Sequence, residues 1–145
     1  MKVYTIGFTK KSAESFFSAL KGSGARRLMD VRLNNVSQLA GFAKRDDLRY
    51  FLREIGQMDY VVIPELAPTQ EMLDRYRKHK GGWAAYEREF LALMRERQVE
   101  TTLARDTVND AVLLCSEDTP DRCHRRLVAE YLEAHWGDMD IRHLV

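Results

Sequence analysis

The sequence has little of several features that define whole classes of proteins. Glycine occurs 8 times and proline 3 times among 145 residues, which excludes collagen-like and linker-rich architectures. The longest uncharged stretch falls far short of the ~18 apolar residues that a membrane-spanning helix needs. The first residues also lack the apolar core and the cleavage site of a signal peptide. We therefore expect a cytoplasmic protein with no membrane partner.

The sequence also lacks an excess of either charge and has few cysteines. Its 23 basic and 22 acidic side chains leave a net charge of +1, whereas proteins that bind nucleic acid carry a marked basic excess or patch. A local basic patch leaves a nucleic-acid partner open, but the net charge does not support one. The 2 cysteines are too few for a disulfide framework or a four-thiolate zinc site, and in a cytosolic chain we expect them to be reduced.

What the sequence does contain is a normal globular mixture of 45% apolar and 31% charged residues, at a length that suits one domain. No repeat, low-complexity tract or linker divides residues 1–145, so we predict one domain. Residues 33–45 show no clear period and are interpreted as a long loop. Short apolar runs predict strands at 3–7, 27–31, 60–63, 111–115 and 140–144.

Between these strands, apolar residues recur at helical spacing. Ser12, Asp46 and Thr119 are placed to cap three of the helices, with Pro120 as the first residue of the last one. The predicted helices cover about 13–22, 46–56, 69–80, 83–97, 100–104 and 120–136, with a break at Gly81-Gly82. Core-facing stripes are predicted at Phe16, Phe17 and Leu20, at Trp83, Tyr86, Phe90 and Met94, and at Leu127, Val128, Tyr131 and Leu132. Strands that alternate with helices predict a layered α/β fold with a mainly parallel sheet of about four to five strands flanked by helices.

Reactive side chains follow several of the predicted strands, and sites in open parallel sheets lie beyond the carboxyl ends of the strands. If the last helix starts at Pro120, Cys123 and His124 lie in its first turn and face the core. The free amides and the dipole there lower the pKa of a thiol, and Arg125 adds a charge that binds anions. The candidate site residues are Thr9, Asp30, Arg32, Cys115, Glu117, Cys123, His124 and Arg125.

Known motifs for these residue types fit poorly. A phosphatase loop that begins at Cys115 needs arginine at position 121, where the chain has Asp121. A deaminase site needs a second cysteine pair, which the chain lacks. Cys123 and His124 are neighbours that diverge by ~100° on a helix, so no metal site is predicted. No glycine-rich phosphate loop is present, so no cofactor is predicted either.

Three stretches together resemble one known family. They are Tyr4–Thr9, Asp30-Val31-Arg32, and Leu113–Glu117 followed by Cys123-His124-Arg125. They are similar to motifs of the bacterial and archaeal domain of unknown function 488, along nearly the whole chain, although Asn35 stands where many relatives have proline. The resemblance implies a single-domain α/β protein without implying a reaction. It carries over Asp30, Arg32, Cys115, Glu117, Cys123, His124 and Arg125 as the polar motif residues.

The first functional hypothesis is an enzyme that acts on a small or nucleic-acid-derived anionic substrate. Arg32 and Arg125 would bind the anion, with Cys115 and Thr9 beside it. Glu117 or Asp30 would serve as general base, His124 as the acid–base partner and Cys123 as the nucleophile. All these roles require the strand ends to bring the side chains into one hollow.

Two alternatives use the same residues. In the first, the hollow binds a nucleotide, a phosphate or a nucleic-acid end without chemistry, and the loop 33–45 and Arg26-Arg27 add contact surface. In the second, the charged residues Asp30, Arg32, Glu117 and Arg125 form a buried network that only stabilises the edge of the sheet. Under that interpretation the cysteines are small core residues and His124 is a hydrogen-bonded core histidine.

Overall fold

Five strands form one sheet in the computed structural model, which describes residues 1–36, 40–78, 82–117 and 119–145. They are β1 (Lys2–Gly7), β2 (Arg27–Asp30), β3 (Asp59–Val62), β4 (Ala111–Cys115) and β5 (Asp140–His143). The order across the sheet is β3-β2-β4-β1-β5, and every neighbouring pair is parallel. The predicted α/β class and parallel sheet are confirmed, and each predicted strand lies within about one residue of an observed one.

Helices cover both faces of this sheet. They are α1 (Ala13–Ser23), α2 (Arg45–Phe51), α3 (Gln70–Lys78), α4 (Gly82–Arg97), α5 (Val99–Thr102), α6 (Arg105–Val108) and α7 (His124–Trp136). Short 3-10 turns span Gly41–Ala43 and Pro64–Leu66, and a π turn at Leu52–Gly56 extends α2. The α6 turn was not predicted. The end of the predicted helix 69–80 and the first residue of the predicted break, together positions 79–81, lie outside the described residues. Positions 37–39 of the predicted loop also lie outside them.

Strand alternation divides the core into two layers, because successive side chains point to opposite faces of a sheet. On β4, Leu113 packs in the layer beneath α3, α4 and α7, whereas Leu114 packs in the layer beneath α1 and the α2 region. On β2, Met29 belongs to the first layer and Leu28 to the second, and Val31, just after the strand, also belongs to the first layer. By this alternation, the Asp30 side chain lies on the face of the sheet covered by α1, and the Cys115 side chain lies on the face covered by α7.

Two of the helices follow the sequence pattern closely. The Ser12 hydroxyl caps α1 by accepting a hydrogen bond from the Ser15 amide at 3.1 Å. Gly24 ends the helix in the left-handed conformation, with φ of 78°, which glycine adopts at little cost. The predicted apolar stripe of α7 is buried along its whole length: Leu127, Val128, Tyr131 and Leu132.

Two predicted helix starts are wrong. Helix α2 begins at Arg45 with Lys44 as its cap residue, so Asp46 lies in the first turn rather than at the cap. Helix α7 begins at His124, and Cys123 is its cap residue with an extended backbone (φ −140°, ψ 139°). The reason for the second error is a side chain further along the helix.

The Arg126 side chain holds the segment before α7 out of the helix. Its guanidinium donates to the carbonyl oxygens of Pro120 at 3.3 Å and Asp121 at 3.1 Å. These carbonyls therefore bond to an arginine instead of to helical amides. The loop after β4 is consequently longer than predicted, and Cys123 lies at its end, outside the helix.

Among the described residues, no helix combines the length and the apolar character required to cross a bilayer.

Candidate functional site

A cavity of about 360 Å³ opens where β2 and β4 end, at the carboxyl edge where parallel sheets place their sites. Its wall combines three kinds of side chain. Three are basic, Arg32, Arg77 and Arg122; three are aromatic, Tyr76, Trp83 and Tyr86; and three are potential nucleophiles or bases, Cys115, Cys123 and His124. Glu117 contributes the acidic group. The lining is therefore basic overall, with flat apolar surfaces beside the charges.

A cysteine and a histidine form a direct pair at this cavity. The Cys115 Sγ lies 3.3 Å from the His124 Nδ1. The other ring nitrogen, Nε2, lies 2.7 Å from the Val31 carbonyl oxygen. Because a carbonyl only accepts, Nε2 carries the hydrogen, and Nδ1 of the neutral ring is left to accept the thiol proton. The backbone just after β2 thus sets the tautomer that lets His124 act as a base toward Cys115.

The two thiols have opposite ionisation tendencies. The pKa of Cys115 is lowered, first because the Cys123 thiol hydrogen-bonds to it, and then by the charge of Arg125 and the amides of Ser116 and Glu117. The pKa of Cys123 is raised well above its ordinary value, first by burial and then by the same bond to Cys115. The predicted lowering of the Cys123 pKa is therefore wrong. Its thiol lies beside a sulfur that ionises first.

Arg125 lies behind the cavity, fully buried. Its Nη1 donates to the Glu117 carbonyl oxygen at 2.5 Å and lies 3.6 Å from the Cys123 Sγ. This arginine therefore braces the loop after β4 and places a positive charge beside both sulfurs. It is not among the residues that line the cavity.

The end of β1 packs closely against the loop that follows β4. A Cβ at Gly7 would lie 1.4 Å from the Glu117 carbonyl oxygen and 2.7 Å from the Arg125 Nη1. Only glycine leaves room for this close approach. The Thr9 amide donates to the Ser116 carbonyl oxygen at 3.0 Å, and the Thr9 residue itself is exposed. Thr9 thus meets the loop through its backbone, and its side chain is outside the cavity lining.

Asp30 and Arg32 form a second cluster at the same sheet edge. The Arg32 guanidinium bonds both oxygens of Asp30, each at 2.8 Å, and the Tyr60 hydroxyl donates to the same carboxylate at 2.5 Å. Asp30 is fully buried. Burial, and next the bond to Asp30, raise the pKa of Tyr60. Arg32 borders the cavity and Asp30 does not, so the carboxylate is enclosed by its own partners.

Five of the eight predicted site residues line one cavity: Arg32, Cys115, Glu117, Cys123 and His124. Asp30, Arg125 and Thr9 lie beside or beneath it. Sequence reasoning missed Arg122, Arg77 and Tyr76, which α3 and the loop before α7 bring to the cavity. Trp83 and Tyr86 were assigned to the core; Tyr86 is buried in the core and borders the cavity as well.

The donor atoms of Cys115, Cys123 and His124 all lie within 4.8 Å of one another. The sequence argument that Cys123 and His124 diverge on a helix is wrong, because Cys123 precedes the helix. Two sulfurs and an imidazole nitrogen suit a soft cation such as Zn²⁺. The site thus combines a thiol–imidazole pair with a donor set that could also hold a metal.

The fold and this cavity define a class: α/β proteins with an all-parallel sheet and a cysteine–histidine cluster at its carboxyl edge. The chain belongs to the family described as Domain of unknown function DUF488, whose model matches residues 12–132, most of the chain. The resemblance drawn from the motifs is confirmed, although the opening motif at Tyr4–Thr9 precedes the matched range. No curated protein and no solved structure matches the chain.

Proposed function

We propose that this protein is an enzyme that acts on a small anionic substrate, with Cys115 as its nucleophile and His124 as the acid–base partner. One observation carries the proposal: the Cys115 Sγ lies 3.3 Å from the His124 Nδ1, while the Val31 carbonyl holds Nε2 at 2.7 Å. A nucleophile, its base and a group that orients the base form the arrangement used in covalent catalysis.

The proposal changes two roles expected from the sequence. Cys115 replaces Cys123 as the nucleophile, because the Cys115 thiol has the imidazole contact and the lowered pKa. Asp30 becomes a structural residue, because both of its oxygens are bonded to Arg32. Glu117 keeps its role as a second acid–base group, since it lines the cavity.

The substrate class follows from the lining of the cavity. Arg77 and Arg122 outnumber the acid Glu117 even though the charge of Arg32 is paired with Asp30, which favours an anion. The aromatic side chains offer flat surfaces for a planar group. The volume of about 360 Å³ lies at the lower end of the range for small-molecule sites. A nucleotide or another aromatic anion combines these properties.

The first chemical step uses only the groups described. The Cys115 thiol passes its proton to the His124 Nδ1, and the sulfur forms a bond to an electrophilic centre of the substrate. The bond from that centre to its leaving group breaks, and the imidazolium returns the proton to the leaving group. Arg125 and the Ser116 amide stabilise the sulfur while it is a thiolate.

Thiol alkylation tests the nucleophile without knowledge of the substrate. Iodoacetamide is applied from pH 5 to 10, and peptide mass spectrometry reports the rate at each cysteine. A lowered pKa keeps Cys115 ionised at pH values where an ordinary thiol, with a pKa of about 8.5, is protonated. We therefore expect Cys115 to react at lower pH than free cysteine and before Cys123. A Cys115 profile with the midpoint of a free thiol would refute the proposed nucleophile.

A binding module is the second candidate, and the basic and aromatic lining of the cavity favours it. In that case nucleotides would bind, and Cys115 would react no faster than free cysteine. Calorimetry with a set of nucleotides, on the wild-type chain and on Cys115→Ala, separates the two. Binding that is equal in both, without any enhanced thiol reactivity, supports the module over the enzyme.

A further inference from the structure

The proposed mechanism leaves one reactive side chain of the cavity without a role. Cys123 is buried, lines the same cavity as Cys115, and its sulfur lies within 4.8 Å of the Cys115 sulfur. Both cysteines are free thiols. Two thiols that face one cavity at this separation have a chemistry that a single thiol lacks, because one sulfur can displace a group from the other.

Cys123 lies at the junction between the loop after β4 and helix α7. It is the cap residue of α7, but its side chain makes no capping hydrogen bond. It lies at the end of the loop that follows β4, whereas Cys115 lies on the central strand of the sheet. A disulfide needs the sulfurs at about 2.05 Å, so forming one requires the Cys123 sulfur to move toward the one held by the strand.

The surroundings also support a second thiolate. The Arg125 Nη1 lies 3.6 Å from the Cys123 Sγ, and a guanidinium at this distance favours the ionised sulfur. His124, the next residue in the chain, contacts the Cys115 sulfur. Once the sulfur of Cys115 is bonded to another group, it carries no negative charge, and its opposition to ionisation of Cys123 is removed.

From this arrangement we propose that Cys123 is a resolving thiol, and that the pair reduces small anionic disulfides, RS–SR. The Cys115 thiolate attacks one sulfur of RS–SR, the S–S bond breaks, and RS⁻ leaves and takes up a proton. Cys123 loses its proton, its sulfur attacks the Cys115 sulfur, and the second RS⁻ leaves. The chain ends with a Cys115–Cys123 disulfide, and the substrate ends as two thiols. This inference rests on the proposed role of Cys115 as the nucleophile.

The basic and aromatic lining of the cavity suits an aromatic disulfide that carries carboxylates. The probe is therefore 5,5′-dithiobis(2-nitrobenzoate), whose released thiolate is coloured. The reduced full-length chain is treated in a chelating buffer, absorbance reports the released thiolate, and intact mass reports what stays on the protein. We expect two released thiolates per chain, no bound nitrobenzoate, and a mass lower by two hydrogens. Unfolded chain is the control and retains one adduct on each cysteine.

Two variants separate the steps. Cys123→Ser keeps the nucleophile, and its hydroxyl can still donate to the Cys115 sulfur, so we expect reaction faster than in the unfolded control, one released thiolate and a stable adduct on Cys115. Cys115→Ser removes the nucleophile, so we expect the fast phase to be lost. If the serine variant does not fold, Cys123→Ala takes its place with the number of released thiolates and the adduct as the only readouts, because alanine also removes the hydrogen bond to Cys115.

The outcomes distinguish the inference from the proposed function. A wild-type chain that reacts quickly at Cys115 but keeps the adduct, as Cys123→Ser does, overturns the resolving role and leaves the nucleophile intact. A wild-type chain in which neither cysteine reacts faster than in the unfolded control overturns both. Loss of the adduct without a Cys115–Cys123 bond in the peptide map also overturns the resolving role.

Discussion

Two polar clusters lie at the same edge of the sheet, and they differ in whether their central groups face the cavity. The carboxylate of the Asp30 cluster is closed off from the cavity, because Arg32 and Tyr60 bond both of its oxygens. The thiol cluster of Cys115, Cys123 and His124 faces a cavity and keeps groups that can react. Sequence reasoning gave both clusters catalytic roles. Buried charge whose partners are all internal supports the fold, whereas reactive groups that face a cavity are candidates for chemistry.

The largest effect is expected when the carboxylate of the Asp30 cluster, here called the closed cluster, is removed. Asp30→Ala leaves the buried Arg32 guanidinium without its counter-ion, and breaking a buried pair in this way costs ~3–5 kcal/mol. Urea denaturation measures the free energy of unfolding. Asp47→Ala, an exposed acid on α2, is the control and should cost less than about 1 kcal/mol. If Asp30→Ala is as stable as its control, the closed cluster is not structural.

A smaller loss is expected from the second donor of that cluster. Tyr60→Phe removes the hydroxyl that bonds Asp30 at 2.5 Å, and a hydrogen bond to a charged group contributes about 1.5–3 kcal/mol. Tyr50→Phe is the matched control, because Tyr50 is 52% exposed. Denaturation of both variants gives the difference. Equal stability of the two would mean that Asp30 does not depend on Tyr60.

The thiol cluster should show the opposite behaviour, with reactivity lost and stability nearly kept. In His124→Gln the amide can still bond the Val31 carbonyl, but it cannot take a proton from Cys115. We expect the free energy of unfolding to change by about 1 kcal/mol. The alkylation rate of Cys115 near neutral pH should fall at least about tenfold, within what a positioned base contributes.

The control for that variant is His135→Gln, on the same helix. His135 is exposed and bonds the Tyr131 carbonyl instead of a thiol. The alkylation rate of Cys115 in His135→Gln should match the rate in the wild-type chain. A stability loss in His124→Gln as large as that of Asp30→Ala, with unchanged Cys115 reactivity, would place His124 in the structural cluster instead.

The layers of the fold were predictable because burial repeats along the chain. Alternation on β4 and helical spacing on α7 each reflect local geometry that one sequence displays. The starts of α2 and α7 were not. The loop before α7 depends on Arg126, which bonds the carbonyls of Pro120 and Asp121. Local sequence rules predict a helix start from the proline and do not include hydrogen bonds from that arginine.

The site was predictable at the level of the sheet edge and not at the level of roles. Parallel strands place their carboxyl ends at one edge, so Arg32 and Cys115 were expected at the same edge, and the adjacency of β2 and β4 in the structure makes them neighbours. The predicted helix start favoured Cys123 as the nucleophile, whereas we propose Cys115 from the observed start. If α7 began at Pro120, Cys123 would lie in its first turn. Because α7 begins at His124, the imidazole contacts Cys115 instead. Arg77 reaches the cavity through tertiary packing of α3, for which the sequence carries no signal.

The smallest expected effect tests whether the cavity selects anions. Iodoacetate and iodoacetamide differ in charge, so the ratio of their rates at Cys115, relative to free cysteine, reports the local potential. Arg122→Gln removes one cation from the lining. A single charge near a solvated site is worth about 1 kcal/mol, so the ratio should fall by about fivefold.

Arg53→Gln is the matched control, since Arg53 is an exposed arginine on the π turn, away from the cavity lining. Its ratio should equal that of the wild-type chain, and added salt should reduce the wild-type ratio toward that of Arg122→Gln because exposed charges are screened. If Arg122→Gln and Arg53→Gln behave alike, the basic lining does not act on ligands. The thiol cluster would then differ from the Asp30 cluster in reactivity without any preference for anions.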